Sequence, residues 1–216
     1  MSAAEIHDLT HRNRLLIADF LDSLSPEEWR APSLCAGWSV GTLAAHLLQP
    51  MTVSFARFFL TAMRHRGDTD RTVDDVARRL ARRPREETLA LLRRHAADRV
   101  SPPRVGPMGP FAETCVHLRD IARPLGAAVD VPREHWTLLL DHLASPGAAA
   151  ALVPAGRLTG LRLEAADADW AAGSGSPVRG PVEALAMAVT GRAVALADLT
   201  GPGVEVLAKR MGAEAG

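Results

Sequence analysis

Lysine is almost absent from this 216-residue chain: Lys209 is the single one among 25 basic residues, the rest being arginine. Cysteine is scarce too. Cys35 and Cys115 are its only two, too few for a disulfide framework, which a chain of this length does not need. There is no net charge, with 25 basic against 25 acidic residues, so no global field draws the chain to nucleic acid or to an anionic membrane. No window of about 18 uncharged apolar residues exists to span a bilayer. The first 20 residues contain Glu5, Asp8 and Asp19 and no continuous apolar run, so they do not read as a signal peptide. A cytoplasmic location is the expectation. The sequence also lacks a Walker loop, a dinucleotide fingerprint, a zinc ribbon and a G-x-S-x-G elbow. What it has is apolar residues, 47% of the total, enough for a folded core.

Periodicity predicts a mainly helical protein. Ile6, Leu9, Leu16, Phe20 and Leu24 define one apolar face of a helix over 3–24. Ser25-Pro26 starts a short helix with proline in its first turn. Ser39 caps a long helix predicted to run to about Arg66, kinked at Pro50. A turn at 67–70 precedes two Arg- and Glu-rich helices over 72–82 and 84–99. Further helices are expected over 110–123 and 131–144. An Ala-rich link near 146 then leads to a different texture: a strand at 161–165, a tight turn at Gly173-Ser-Gly-Ser-Pro, and helices over 181–190 and 202–212. The expected organisation is a helical bundle over 1–145 and a small α/β appendage over 150–216.

The candidate chemistry centres on Glu113 and His117, four residues apart and on one face of their helix. A carboxylate and an imidazole one turn apart can share a divalent ion. His46, beside the apolar stripe Val40, Leu43, Leu47 and four residues before Pro50, is the candidate third ligand. Two histidines and a carboxylate leave coordination positions open, which suits catalytic zinc and also non-haem iron. Asp120 could orient a ligand imidazole or pair with Arg119 or Arg123, which mark the expected solvent side. Each ligand has a plainer reading: His46 as a satisfied core histidine, Glu113 and His117 as a surface pair. His7 and His11 read as solvated among Glu5, Asp8, Arg12 and Arg14. Cys35, just before a helix start, is either a favoured thiolate or a small buried residue, and Cys115 reads as structural. The Arg-rich run 78–94 is interrupted by Glu86 and Glu87 and lacks interleaved aromatics, so it reads as a solvated face.

Three segments together resemble the mycothiol-dependent maleylpyruvate isomerase family of DinB-like four-helix bundles. They are Ser33-Leu-Cys-Ala-Gly-Trp-Ser-Val-Gly-Thr-Leu-Ala-Ala-His46, Ala112-Glu-Thr-Cys-Val-His-Leu-Arg-Asp-Ile-Ala-Arg-Pro-Leu-Gly126, and the tail with Gly160-Leu-Arg-Leu, Asp169-Trp170, Gly180-Pro-Val-Glu-Ala-Leu, Gly191-Arg192 and Asp198-Leu-Thr-Gly-Pro-Gly203. The resemblance implies a DinB-like four-helix bundle with a small C-terminal α/β appendage. It implies a divalent metal, zinc in the family, on His46, Glu113 and His117, with mycothiol as thiol cosubstrate. It implies an isomerase, or a transferase moving thiol to a small electrophilic or acidic substrate. It also implies a C-terminal arginine in catalysis, for which Arg192 is the candidate, with Arg123 and Arg179 as alternatives. No nucleic-acid or membrane partner is expected. The competing expectation is a non-catalytic metal-dependent ligand-binding or sensor protein.

Overall fold

The computed structural model describes residues 1–103, 105–148, 150 and 152–212. Ala149 and Ala151 of the expected Ala-rich link and the last four residues lie outside the described residues. The chain divides into two compact units, 1–131 and 132–216.

The first unit is all helical. Its helices are α1 (Ala3–Ser23), α2 (Pro26–Arg30), α3 (Val40–Leu47), α4 (Gln49–Thr52), α5 (Phe55–Arg64), α6 (Thr69–Leu80), α7 (Arg85–Arg94) and α8 (Met108–Ala122). Local chemistry sets the starts of several. Ser2 and Ser25 each close a capping box, with Glu5 and Glu28 respectively. The Ser39 and Ser54 hydroxyls accept the amides of Thr42 and Arg57, and Asp68 accepts Arg71 N–H. The core is a bundle in which α1 packs on α7 and α8, and α3 on α6, α7 and α8. Ile17, Leu21, Leu43, Leu92, Phe111 and Leu118 fill it.

Two expectations are corrected here. The long helix over 39–66 is three helices. Pro50 cannot donate to the carbonyl of His46, α3 stops at Leu47, Val53 is extended, and Ser54 caps a fresh start. The buried face of α1 is also rotated from the expected one: it carries Ile6, Thr10, Asn13, Arg14, Ile17 and Leu21. The sequence pattern sends Arg14 to solvent, yet it is buried, because its guanidinium donates to the carbonyls of Ala96 at 3.2 Å and Asp98 at 2.8 Å. On α5 the reverse holds: Phe55, Phe59, Leu60 and Met63 are exposed, with the Phe55 and Phe59 rings stacked.

The second unit holds α9 (Arg133–Leu143), a three-stranded sheet, α10 (Val182–Val189), a 3-10 turn at Ala193–Asp198 and α11 (Gly203–Gly212). Strands β1 (Leu161–Ala165), β2 (Ala171–Gly173) and β3 (Ser176–Gly180) lie in the order β2-β1-β3, antiparallel then parallel. In β1 the alternation has its usual consequence: Leu161 and Leu163 are buried, while Arg162 points out and bonds Glu164. α10 is apolar on nearly all sides and correspondingly buried. It packs against α9, whose Trp136, Leu139, Leu140 and Leu143 complete this core. Among the described residues no helix is long and apolar enough to cross a membrane.

Candidate metal centre

The site is built where the loop before α3 meets α8. Ser33 organises that loop: its hydroxyl accepts the Cys35 amide and donates to the Trp38 carbonyl. Gly37 takes φ +75, which a side chain would resist. The loop is tied to α8 by Leu34 N–H donating to the Asp120 carbonyl at 2.9 Å, and to α6 by the Trp38 indole donating to Asp74 at 2.7 Å. Trp38 then stands against His46, ring centroids 5.0 Å apart.

His46 is in the last turn of α3 and His117 is in α8. Their rings meet edge to face with centroids 5.1 Å apart. Each ring has one nitrogen engaged by a residue three positions ahead. His46 Nδ1 stands 3.1 Å from Gln49 Oε1, and His117 Nδ1 stands 2.8 Å from Asp120 Oδ2. That fixes ring orientation and makes Nε2 the nitrogen by which either would ligate. Glu113 lies one turn before His117 and lines an open cavity of about 370 Å³ together with His46, Gln49 and Pro50. Val53, Phe55, Phe58 and Val73 give that cavity an apolar wall.

The electrostatics are those of a buried charged cluster. Burial pushes the Glu113 carboxyl above its ordinary pKa, while the positive charges of His117 and Arg14 oppose the rise. Burial likewise lowers the pKa of Arg14, and Asp98 and Glu113 offset it. At His117 burial disfavours the imidazolium. The hydrogen bonds to Asp120 and Cys35 and their charges outweigh burial and raise its pKa to about 9. Asp120 itself is 0% exposed.

A second arrangement involves the same histidine. Cys35, His117 and Asp120 offer ligand atoms within 4.8 Å of one another, a possible metal site. Cys35 Sγ is 3.5 Å from Asp120 Oδ2 and 4.0 Å from His117 Nδ1. Two atoms bound tetrahedrally at about 2.0–2.1 Å from a metal stand roughly 3.3 Å apart. The 2.8 Å between His117 Nδ1 and Asp120 Oδ2 is instead a charge-assisted hydrogen bond, so this group as it stands orients His117. Cys115 is buried beside Asn13, and burial raises its thiol pKa strongly, as suits a packed, unreactive cysteine.

Sequence reasoning missed Gln49, Trp38 and Arg14. Gln49 had a signal, an amide three residues past a candidate ligand; Arg14 and Trp38 had none, because their partners lie far along the chain, beyond α7 for Arg14 and on α6 for Trp38. Arg119, expected at the solvent side, is only 14% exposed at its side chain, which donates to the carbonyls of Ala127 and Val129. Arg192 belongs to the second unit, at the start of the 3-10 turn, where it donates to the Thr190 carbonyl at 2.7 Å.

These features define a DinB-like helical bundle carrying a small C-terminal appendage. Residues 13–114 match the family model of the mycothiol maleylpyruvate isomerase N-terminal domain. Two solved structures share the fold: the crystal structures of a histidine-to-alanine mutant of the mycothiol-dependent maleylpyruvate isomerase and of that isomerase itself. Their TM-scores are 0.60 and 0.58, each at 16% identity and covering 94% of this chain and 93% of the other. Comparison with curated protein sequences gave no match.

Proposed function

We propose that the chain is a metal- and mycothiol-dependent enzyme of the maleylpyruvate isomerase type, with a divalent metal on His46, Glu113 and His117. The observation that carries this reading is the pair of imidazoles, each with Nδ1 engaged by a residue of its own helical turn or the next, beside a half-buried carboxylate on an open cavity. Two imidazoles, once the metal displaces their protons, and one carboxylate are a donor type that suits zinc and comparable divalent ions. Among the described residues only Cys35, His117 and Asp120 hold ligand atoms within 4.8 Å of one another, so His46 and Glu113 would close in around the bound ion. Glu113, whose charge is disfavoured by desolvation, gains from a cation beside it.

When bound, such a metal lowers the pKa of a thiol cosubstrate so that it reacts as thiolate. The chain's own residues supply the rest. Gln49 and Asp120 hold the two rings. Arg14, anchored on Ala96 and Asp98, offsets the Glu113 charge. Val53, Phe58 and Val73 would present an apolar wall beside the thiolate. For isomerisation, mycothiol would supply the nucleophile for a reversible addition and elimination that interconverts the cis and trans forms of a maleylpyruvate-like acid and regenerates the thiol. Arg192 is proposed to meet a substrate carboxylate. Two unpaired cysteines accord with a reducing, cytoplasmic setting.

The test is turnover of maleylpyruvate by the zinc-loaded full chain with and without mycothiol, beside Glu113→Gln. Mycothiol-dependent turnover lost in the variant is expected. Stoichiometric metal with no turnover of maleylpyruvate or of a simple electrophile would move the assignment to a non-catalytic binding protein.

A further inference from the structure

The Arg-rich run over 78–94 reads as a solvated face in sequence, but folding gives part of it a second contributor. A groove of about 510 Å³ lies between α5, α6 and the start of α7, and four arginines line it: Arg57 from α5 and Arg79, Arg82 and Arg83 from the end of α6 and the turn beyond. Its apolar lining is Val53, Val76, Leu80 and Pro84. Glu87 is its one acidic lining residue.

Two of the four guanidiniums are matched locally. Arg79 pairs with Asp75 and Arg83 with Glu87, each four residues away on the chain. Arg57 and Arg82 have no carboxylate within ion-pair distance among the described residues. No aspartate or glutamate occurs from Trp29 through Gly67, so the α5 side of the groove carries cationic charge alone. Like charges gathered around one concavity repel in the absence of a counter-charge, and guanidinium forks match phosphate and carboxylate oxygens. The volume is that of a small-molecule site, not of an extended track for a polymer.

The geometry points to this groove as a binding site for a small organic polyanion, one bearing phosphate or several carboxylates on an apolar body. Arg57 and Arg82 would take the anionic groups, and Val53, Val76 and Leu80 would cover the body. The site is distinct from the cavity beside His46, with which it shares only the Val53 wall, and it does not depend on the metal-centre reading.

The experiment is isothermal titration of the full chain with inorganic pyrophosphate, with citrate, and with a short single-stranded DNA, at fixed ionic strength because exposed charges are screened. Saturable one-to-one binding of pyrophosphate or citrate is expected, weakened about tenfold by Arg57→Gln and again by Arg82→Gln, as for loss of one charge-assisted bond each. Arg94→Gln, on the exposed end of α7 and outside the groove, is the control and should bind as wild type. Pyrophosphate binding alone assigns a phosphate ligand, and citrate binding alone a polycarboxylate. No binding of either, equal binding by Arg57→Gln and Arg82→Gln, or binding of the DNA alone would overturn the proposal.

Discussion

His117 Nδ1 stands 2.8 Å from Asp120 Oδ2, one turn further along α8, and Asp120 is wholly buried. A carboxylate so placed sets the tautomer and direction of the imidazole and raises its basicity. Asp120→Asn keeps the shape and removes the charge. The expected outcome is metal affinity weaker by about 10- to 100-fold, read by competition with a chromophoric chelator, with circular dichroism unchanged. Unchanged affinity would show that Asp120 serves only the loop carrying Cys35.

Arg14 is a buried cation of this unit, donating to the backbone carbonyls of Ala96 and Asp98 in the turn beyond α7. Arg14→Met keeps much of the packing and strips both acceptors of their donor. A loss of about 2–3 kcal/mol in urea unfolding is expected. A stability change under about 0.5 kcal/mol would mean that water satisfies those carbonyls equally well.

Asp75 gives a pH signature of its own. Hydrogen bonds from Arg79 and His65 hold its carboxyl down at about 2, against a smaller opposing effect of burial. A carboxyl whose folded pKa is depressed contributes stability that is fully present above its unfolded value, near 3.9, and is lost as pH falls through the folded value. Wild type should therefore exceed Asp75→Asn in stability at neutral pH, by less than about 1 kcal/mol for so exposed a pair. The gap should close between about pH 4 and pH 2 in acid-titrated urea melts. A gap that persisted below pH 2 would contradict this ionic origin.

In the second unit, Gly175 sits in the turn between β2 and β3 at φ +124, and a Cβ there would meet the Gly160 carbonyl oxygen at 2.1 Å. Gly175→Ala has no relaxed alternative, since the obstacle is backbone. A cost of at least about 2 kcal/mol is expected, measured by thermal unfolding.

Much of this architecture was legible along the chain because it depends on neighbours in sequence. Ser25 and Ser39 announced helix starts, and Leu161, Arg162 and Leu163 announced a strand with one buried face. The four-residue spacing of Glu113 and His117 placed them on one side of α8. What was not legible depends on partners far away. Pro50 signals a disturbance, but whether a helix kinks or ends depends on whether the following residues are recaptured, and Ser54 decides it here. The helix at 133–143 was grouped with the bundle by its position, whereas its buried side is met by α10, some forty residues later. Arg14 looks solvated until the carbonyls of Ala96 and Asp98 reach it. Arg57 looks isolated until α6 brings Arg79 and Arg82 beside it.

Whether His46, Glu113 and His117 hold a metal is read by elemental analysis of the purified, untagged chain beside His46→Ala and His117→Ala. About one divalent metal per wild-type chain is expected, as for a single catalytic site, with that metal lost in both variants and helicity retained. Wild-type protein that takes up no metal when zinc is offered, or variants that keep it, would show that these residues are not its ligands.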